Sequence, residues 1–550
     1  MYVTRKKIKF SLKKLFLGFL VILTFAISAK IYSLYFNKLD FGDEFDNFVG
    51  SWLIAKGYVP YRDFFSHHFP LLFFIGAPLE LISHAKFLYR LLMFIFAFGS
   101  FIFFFRYLEG VYKYTILPFI LLASFGISLY GGQQFADGPI WAFILTAAFF
   151  LVLKHDRSPF SKNDTILFTI LFVLLLLTSP IHLVALPLLV LLHVWLQFRN
   201  NHKIKFKLNI ENIKLSAAVT LTLLALFLAY LIFTKSLNDF FKNAFSFNSN
   251  VYFFRTSKLV SGIEPLDVYL NAIHEVYIHF FLLAKNEGLA LVTFLKAAKF
   301  LILPFNLNTG YVPYVKIILE DLYNNFFSIE MTIALFYFFG IVRFYLNKRL
   351  DYVIFLLLFL LPLRLRIDTN THLAPFYFFS YWLVSFAFSF SLYELLRKRR
   401  VLMNIVLCIG LPLLTVIFIT KHWYSFDQTA FNSFPKKNAE TIELVKKTVT
   451  DKKIFVFRDF SASYYFESGK EPYGYFMNFF PWYSESERLK DKLIQNLQSY
   501  DGDYLVVNRK EWDNFKDKHI LSWRDDYFRI IDAGFKISSL NNEDIIFARK

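Results

Sequence analysis

The feature that most constrains this 550-residue chain is a succession of apolar runs, each close to the roughly 20 residues that a helix needs to cross a hydrocarbon core. Eleven such runs lie near residues 15–36, 87–105, 114–130, 139–153, 165–178, 181–198, 215–234, 328–343, 352–363, 373–395 and 402–420. With 74 Phe and only 19% charged residues, the chain has too little polar side-chain surface for a water-soluble fold of this size or for a disordered one. The expected fold class is an all-α polytopic membrane domain of eleven transmembrane helices over residues 1–420, followed by a small α/β domain over 421–550.

Charge placement orients the runs. The formal net charge of +18 would point to an acidic partner in a soluble protein, but here the positive residues alternate with the spans. They lie at Arg5 to Lys14, at Arg106 and Lys113, at Lys154, Arg157 and Lys162, at Arg199 to Lys214, at Arg343, Lys348 and Arg349, and at Arg397 to Arg400. The intervening loops around 131–138 and 179–182 contain no Lys or Arg at all. Agreement among many independent loops predicts a cytoplasmic N-terminus and needs no nucleic acid as partner. The first run could end as a cleaved signal peptide at Ala26 and Ser28, but its apolar stretch continues through Ile31, Tyr32 and Leu34 and reads as an uncleaved anchor. Cys408, the one cysteine, excludes an internal disulfide and a cysteine-based metal cluster.

On this topology the segments 37–86, 131–138, 235–327 and 364–372 and everything beyond residue 420 share the exterior. From Lys421 onward 21 Lys/Arg balance 20 Asp/Glu, a soluble character. Within that segment Lys453–Phe457, Tyr504–Val507 and Asp544–Phe547 read as strands, and Glu485–Leu497 as an amphipathic helix. It carries no phosphate-binding glycine loop and no HExxH, so no chemistry is assigned to it. The long 235–327 segment is neither spanning nor strongly polar, which is the character of a lid.

The first exterior loop carries the densest chemistry. Phe45, Phe48, Val49, Trp52 and Leu53 form one apolar helical face ending at Gly57, so this helix is expected to lie on the membrane interface. Its other face holds Asp43, Asp46, Asn47 and Ser51. Capping explains one or two acids in a first turn, but Asp43, Glu44 and Asp46 within four residues exceed what capping needs. Pro60 and Pro70 then bracket an aromatic stretch with Arg62, His67 and His68. Adjacent histidines diverge on either regular backbone, which makes them a poor two-ligand metal site.

Gly42-Asp43-Glu44, Gly57, Pro60-Tyr61-Arg62-Asp63 and His67-His68-Phe69-Pro70-Leu71 together resemble the first exterior loop of GT-C glycosyltransferases. Within that superfamily the match is to the bacterial relatives of protein mannosyltransferases and lipid A aminoarabinose transferases. It covers residues 39–72 closely and the remaining spans in layout only. The resemblance implies an enzyme that moves a sugar from a polyprenyl phosphate to an acceptor hydroxyl on the extracytoplasmic face; the acceptor is a glycan, a lipid or a protein. It also implies catalytic acids at Asp43 and Glu44 and at Asp137 of the second exterior loop. There Asp137-Gly138-Pro139 is similar to the family's Thr-Asp-x-Pro element, with Ala136 in place of the hydroxyl residue. A divalent cation held by Asp43, Glu44 and Asp137 is left open, since family members differ on it.

A departure from the charge rule supplies further candidates. The 364–372 loop should be exterior and poor in positive charge, yet it presents Arg364, Arg366 and His372. Arg forks match phosphate oxygens, so these three join Arg62, His67 and His68 as expected ligands of the donor phosphate. The competing classes are a lipid or glycan transporter, which would bury ionisable residues mid-span and repeat its halves, and an envelope polymer ligase, which would centre on a long loop rich in Arg and His. No repeat is evident, and 235–327 is poor in both residues.

Overall fold

The computed structural model describes residues 12–36, 42–107, 132–154, 160–178, 185–200, 210–248, 438–517 and 524–550, with a few isolated positions between them. Helices α1 (Leu12–Tyr35), α4 (Lys86–Tyr107), α5 (Asp137–Lys154), α6 (Lys162–Thr178), α7 (Ala185–Asn200) and α8 (Ile210–Phe233) coincide with six of the expected spans. The expected spans near 114–130, 328–343, 352–363, 373–395 and 402–420 lie wholly or largely outside the described residues. Among the described residues, α5, α8 and the Leu15–Leu34 part of α1 are each long and apolar enough to cross a membrane.

These helices divide by what surrounds them. Helix α5 is enclosed on every side, with Trp141, Phe143, Leu145, Phe149, Phe150 and Leu153 all buried against its neighbours α4, α6 and α7. Its apolar residues follow no single face, as expected of a helix hydrophobic all round. Helix α8 is equally apolar yet presents Leu221, Leu226, Ile232 and Phe233 outward, the character of a helix facing lipid.

Two shorter helices, α2 (Gly42–Ala55) and α3 (Leu71–Glu80), fill the first exterior loop. They pack closely because small residues face bulk: a Cβ on Gly50 would meet the Phe73 ring at 2.7 Å, and one on Gly76 would strike the Ser51 hydroxyl. Helix α2 has the predicted apolar face, but it does not lie on an open interface. Glu44, Asp46, Asn47 and Ser51 are as buried as Phe45 and Phe48. A second layer of protein, from the end of the chain, packs on its apolar side through Phe466 and reaches its polar side at Asp46 through Asn478.

The C-terminal residues build a five-stranded sheet in the order β2-β1-β3-β5-β4, from β1 (Lys453–Phe457), β2 (Glu471–Pro472), β3 (Tyr504–Asn508), β4 (Phe535–Leu540) and β5 (Asp544–Arg549). β1 pairs in parallel with β2 and β3, and β5 runs antiparallel to both β3 and β4. Strands covered on both faces read as unbroken apolar runs, which is why Lys453–Phe457 carries no polar alternation. Ile454, Val456, Val506 and Ile546 point to one face, Phe455, Phe457, Leu505, Val507, Ile545 and Phe547 to the other. Helices α10 (Ala439–Thr448) and α11 (Ala462–Ser468) cover the first face; α12 (Glu487–Gln498), α13 (Arg509–Asp517) and α14 (Asp525–Gly534) cover the second. A four-residue helix, α9 (Leu237–Phe240), runs on into a π-helical turn, Phe241–Phe247, beneath this layer.

The inner face does not close on itself. Its cluster continues without a break through Phe466 to Phe45, Phe48 and Tyr89 and on to Trp141 at the middle of the helix bundle. His84 ties the same joint: Nδ1 meets Glu80 Oε2 at 2.7 Å and Nε2 meets the Phe466 carbonyl at 2.9 Å. Both partners only accept, so the arrangement calls for the doubly protonated ring, with Trp52 and Phe466 packed against it. Burial alone would lower the His84 pKa; the Glu80 and Phe466 hydrogen bonds reverse this and raise it.

One ion pair lies at the centre. The Arg90 guanidinium donates to Glu44 through Nε at 2.9 Å and Nη2 at 2.5 Å, and through Nη1 to the Phe36 carbonyl at 2.9 Å, with both side chains wholly buried. Removing one partner of such a pair strands the other charge at a cost of about 3–5 kcal/mol. Glu44→Gln and Arg90→Met are each expected to lower thermal unfolding temperature strongly in detergent micelles, while the double variant recovers a substantial part. Additive losses in that cycle would exclude the pairing.

Candidate active site

The site is assembled around the N-terminal turns of α2. Asp43 is partly exposed, and Asp46, one turn on, is only 6% exposed. Glu44 points to the opposite side, where Oε1 also accepts the Phe135 N–H at 2.9 Å. Asn47 Nδ2 donates to the Phe135 carbonyl at 3.0 Å. Two side chains one turn apart thus hold both polar groups of a single peptide residue. That grip fixes the 132–136 turn and, directly after it, Asp137 at the start of α5.

Asp137 faces the first exterior loop, where its Oδ2 lies 3.0 Å from His68 Nδ1. Burial alone would lower the His68 pKa, but Asp137, with added field from Asp43 and Asp46, outweighs it and pushes the value up to about 9. The ring is therefore an imidazolium at neutral pH. Raised above the free value near 6.5, it contributes stability that is complete below pH about 6.5 and is lost as pH rises through about 9. Asp46 shifts in the opposite sense to an ordinary acid: burial first, then the neighbouring Asp43 charge, hold its carboxyl well above the usual range, against the pull of His68 and of an Asn478 hydrogen bond.

The expected residues separate by where the structure places them. Asp43, Asp137 and His68 lie together, and His67 packs beside His68 with ring centroids 4.2 Å apart. Glu44 is spoken for: Arg90 and the Phe135 amide occupy its carboxylate, so it shapes the site without being presented to a substrate. Arg62 is turned to the rim, chelating its neighbour Asp63 at 2.7 and 2.8 Å and donating to the Thr234 carbonyl at 2.8 Å. Arg364, Arg366 and His372 lie outside the described residues.

The cation expected as an option at Asp43, Glu44 and Asp137 is not matched by this donor set. Glu44 is neutralised by Arg90 and Asp137 is bridged to His68, and among the described residues no group of three His, Cys, Asp or Glu could hold a metal ion. Polar capacity of another kind remains. Asp137 Oδ1, Asn47 Oδ1 and both amide atoms of Gln133 are buried without a hydrogen-bond partner among the described residues.

Arg90, Asn478 and Gln133 were not singled out by sequence. Arg90 had a legible signal, an arginine within an apolar run, which requires a buried acid as counter-ion. Asn478 had none, because its partner Asp46 lies more than four hundred positions away in the chain.

No model of a known protein family matches this chain, and no curated protein does. The structure is similar to that of ArnT from Cupriavidus metallidurans bound to undecaprenyl phosphate, with TM-score 0.51 and 10% identity over 96% of this chain and 97% of that one. The apo state of the same ArnT gives the same figures. The Archaeoglobus fulgidus oligosaccharyltransferase in complex with Zn and sulfate has TM-score 0.47 and 13% identity over 96% of this chain and 73% of that one. At such identity the likeness is one of fold alone, the fold of ArnT.

Proposed function

We propose that this protein is an integral-membrane glycosyltransferase that moves a sugar from a polyprenyl-phosphate donor to an acceptor hydroxyl on the extracytoplasmic face. The convergence of Asp43, His68 and Asp137 at one end of the helix layer carries the reading. The fold shared with an undecaprenyl-phosphate-bound ArnT supports it. A single displacement needs a base for the acceptor proton and a positive charge for the departing phosphate. Asp43, the partly exposed acid, takes the proton as the acceptor oxygen bonds to the anomeric carbon. The bond from that carbon to the phosphate oxygen breaks, and its electron pair leaves with the lipid phosphate.

His68 is the cation for that phosphate. Asp137 keeps its ring charged and oriented, so its part in catalysis is exerted through the histidine. His67 borders the same spot, while Arg364, Arg366 and His372 are further phosphate candidates by sequence. Arg62 is better suited to holding the loop, given its bonds to Asp63 and Thr234. No step is routed through a metal ion.

In membranes supplied with polyprenyl phosphosugar extracted from the host, Asp43→Asn is expected to cut release of free polyprenyl phosphate by at least a hundredfold, the range of a lost general base. Full activity in that variant removes Asp43 from the mechanism, and a donor that stays intact with wild-type protein points to transport. The rate should fall as pH rises through about 9, where His68 loses its proton. In Asp137→Asn that alkaline limb should move down by more than one pH unit; an unmoved limb assigns it to another group. For the topology, Ser83→Cys, an exposed position of the first exterior loop, should react in intact cells with an impermeant maleimide in a Cys408→Ala background, and Arg157→Cys should not.

A further inference from the structure

The loop 473–480, between β2 and the 3₁₀ turn Pro481–Glu485, reaches out of the C-terminal layer at two points three residues apart. Tyr475 is the first. Its hydroxyl donates to the Tyr61 carbonyl at 2.6 Å and accepts from Asn243 Nδ2 at 2.6 Å, and its own carbonyl accepts the Phe65 N–H at 2.6 Å. Asn243 Nδ2 also lies 3.3 Å from the Tyr61 carbonyl, and Arg488 donates to Asn243 Oδ1. Asn478 is the second point. Its Oδ1 accepts the Ala462 N–H at 3.0 Å, which fixes the amide so that Nδ2 donates to Asp46 Oδ1.

What these two contacts hold is the site itself. Tyr61 has φ +70°, a conformation costly for a residue with a Cβ and kept only where the surroundings impose it. Its carbonyl receives Tyr475 and Asn243, while its hydroxyl donates to the His68 carbonyl at 2.8 Å. A chain of bonds therefore runs from the C-terminal layer through the strained residue to the backbone of the histidine. On the other arm, Asn478 grips the helix that bears Asp43. Both residues are buried, Tyr475 at 6% and Asn478 at 2% exposed, so water does not replace either bond.

We propose that Tyr475 and Asn478 are positioning residues for glycosyl transfer, setting the spacing between the loop that carries His68 and the helix that carries Asp43. The proposal rests on the transfer reading and assigns the C-terminal layer a part in the chemistry. Neither residue touches substrate. Each acts by holding the segment that carries a group which does, and effects of this kind appear in kcat more than in donor KM.

The test uses the full-length protein in nanodiscs with host-extracted polyprenyl phosphosugar as donor. Tyr475→Phe and Asn478→Leu are each expected to lower kcat about tenfold, which is about 1.4 kcal/mol of barrier, with donor KM within about twofold. Combining Tyr475→Phe with His68→Gln should add nothing to the loss of His68→Gln alone. A second readout does not depend on turnover: carbethoxylation of His68 by diethyl pyrocarbonate, followed by mass spectrometry, should quicken severalfold in Tyr475→Phe and not in Asn478→Leu. Asn243→Ser opens the same node from the opposite side and replaces Tyr475→Phe if that variant fails to fold. Unchanged His68 reactivity together with additive kcat losses would overturn the proposal. Absence of donor turnover in the wild type would instead sink the transfer reading, and the His68 reactivity still decides whether Tyr475 sets the histidine's place.

Discussion

The contact between Glu44 and Arg90 is the constraint on which the rest depends. A carboxylate and a guanidinium, both wholly removed from solvent, are tolerable only as a pair with their remaining hydrogen-bonding capacity used, and here the Phe36 carbonyl and Phe135 amide take it up. Those four groups belong to the end of α1, the start of α2, the start of α4 and the turn before α5. Satisfying one buried charge thus fixes where four segments meet. Asp43 and Asp137 stand one residue from Glu44 and two from Phe135, so the geometry of the proposed reaction follows from a pair that takes no part in it.

How much of this was legible depended on how far the controlling interaction reached along the chain. Spans such as Asp137–Lys154 and Ile210–Phe233 are dictated by local apolarity, and the strand Lys453–Phe457 by an unbroken apolar run between polar flanks; both kinds were readable to within a few residues. The strands Glu471–Pro472 and Phe535–Leu540 were not, because one is two residues long and the other exposes most of its side chains. For α2 the periodicity was right and the environment was not. Phe466 packs on its apolar face and Asn478 reaches Asp46, and nothing in residues 42–55 announces that cover.

The acids followed the same rule. A cluster of Asp43, Glu44 and Asp46 signals chemistry, but the cluster cannot reveal which member is neutralised and which is presented. Burial and partner decide that: Arg90 claims Glu44, Asn478 reaches Asp46, and Asp43 alone keeps exposure. Identical residue types a few positions apart thereby acquire unlike chemical states, the usual way in which a protein draws separate roles from one kind of carboxyl group.

The continuity of the inner cluster, from the sheet through Phe466 to Trp141, bears on the order in which the molecule comes into being. A ribosome finishes α1 to α8 long before it reaches residue 438, and until then Phe45, Phe48, Asp46 and the loop around Tyr61 lack their C-terminal contacts. Domains generally complete themselves as they emerge; this site cannot, since two of its supports are made in the last eighty residues. The nascent protein therefore carries its acids before they are spaced, and the proposed transfer would have to wait until the C-terminal layer closes over them.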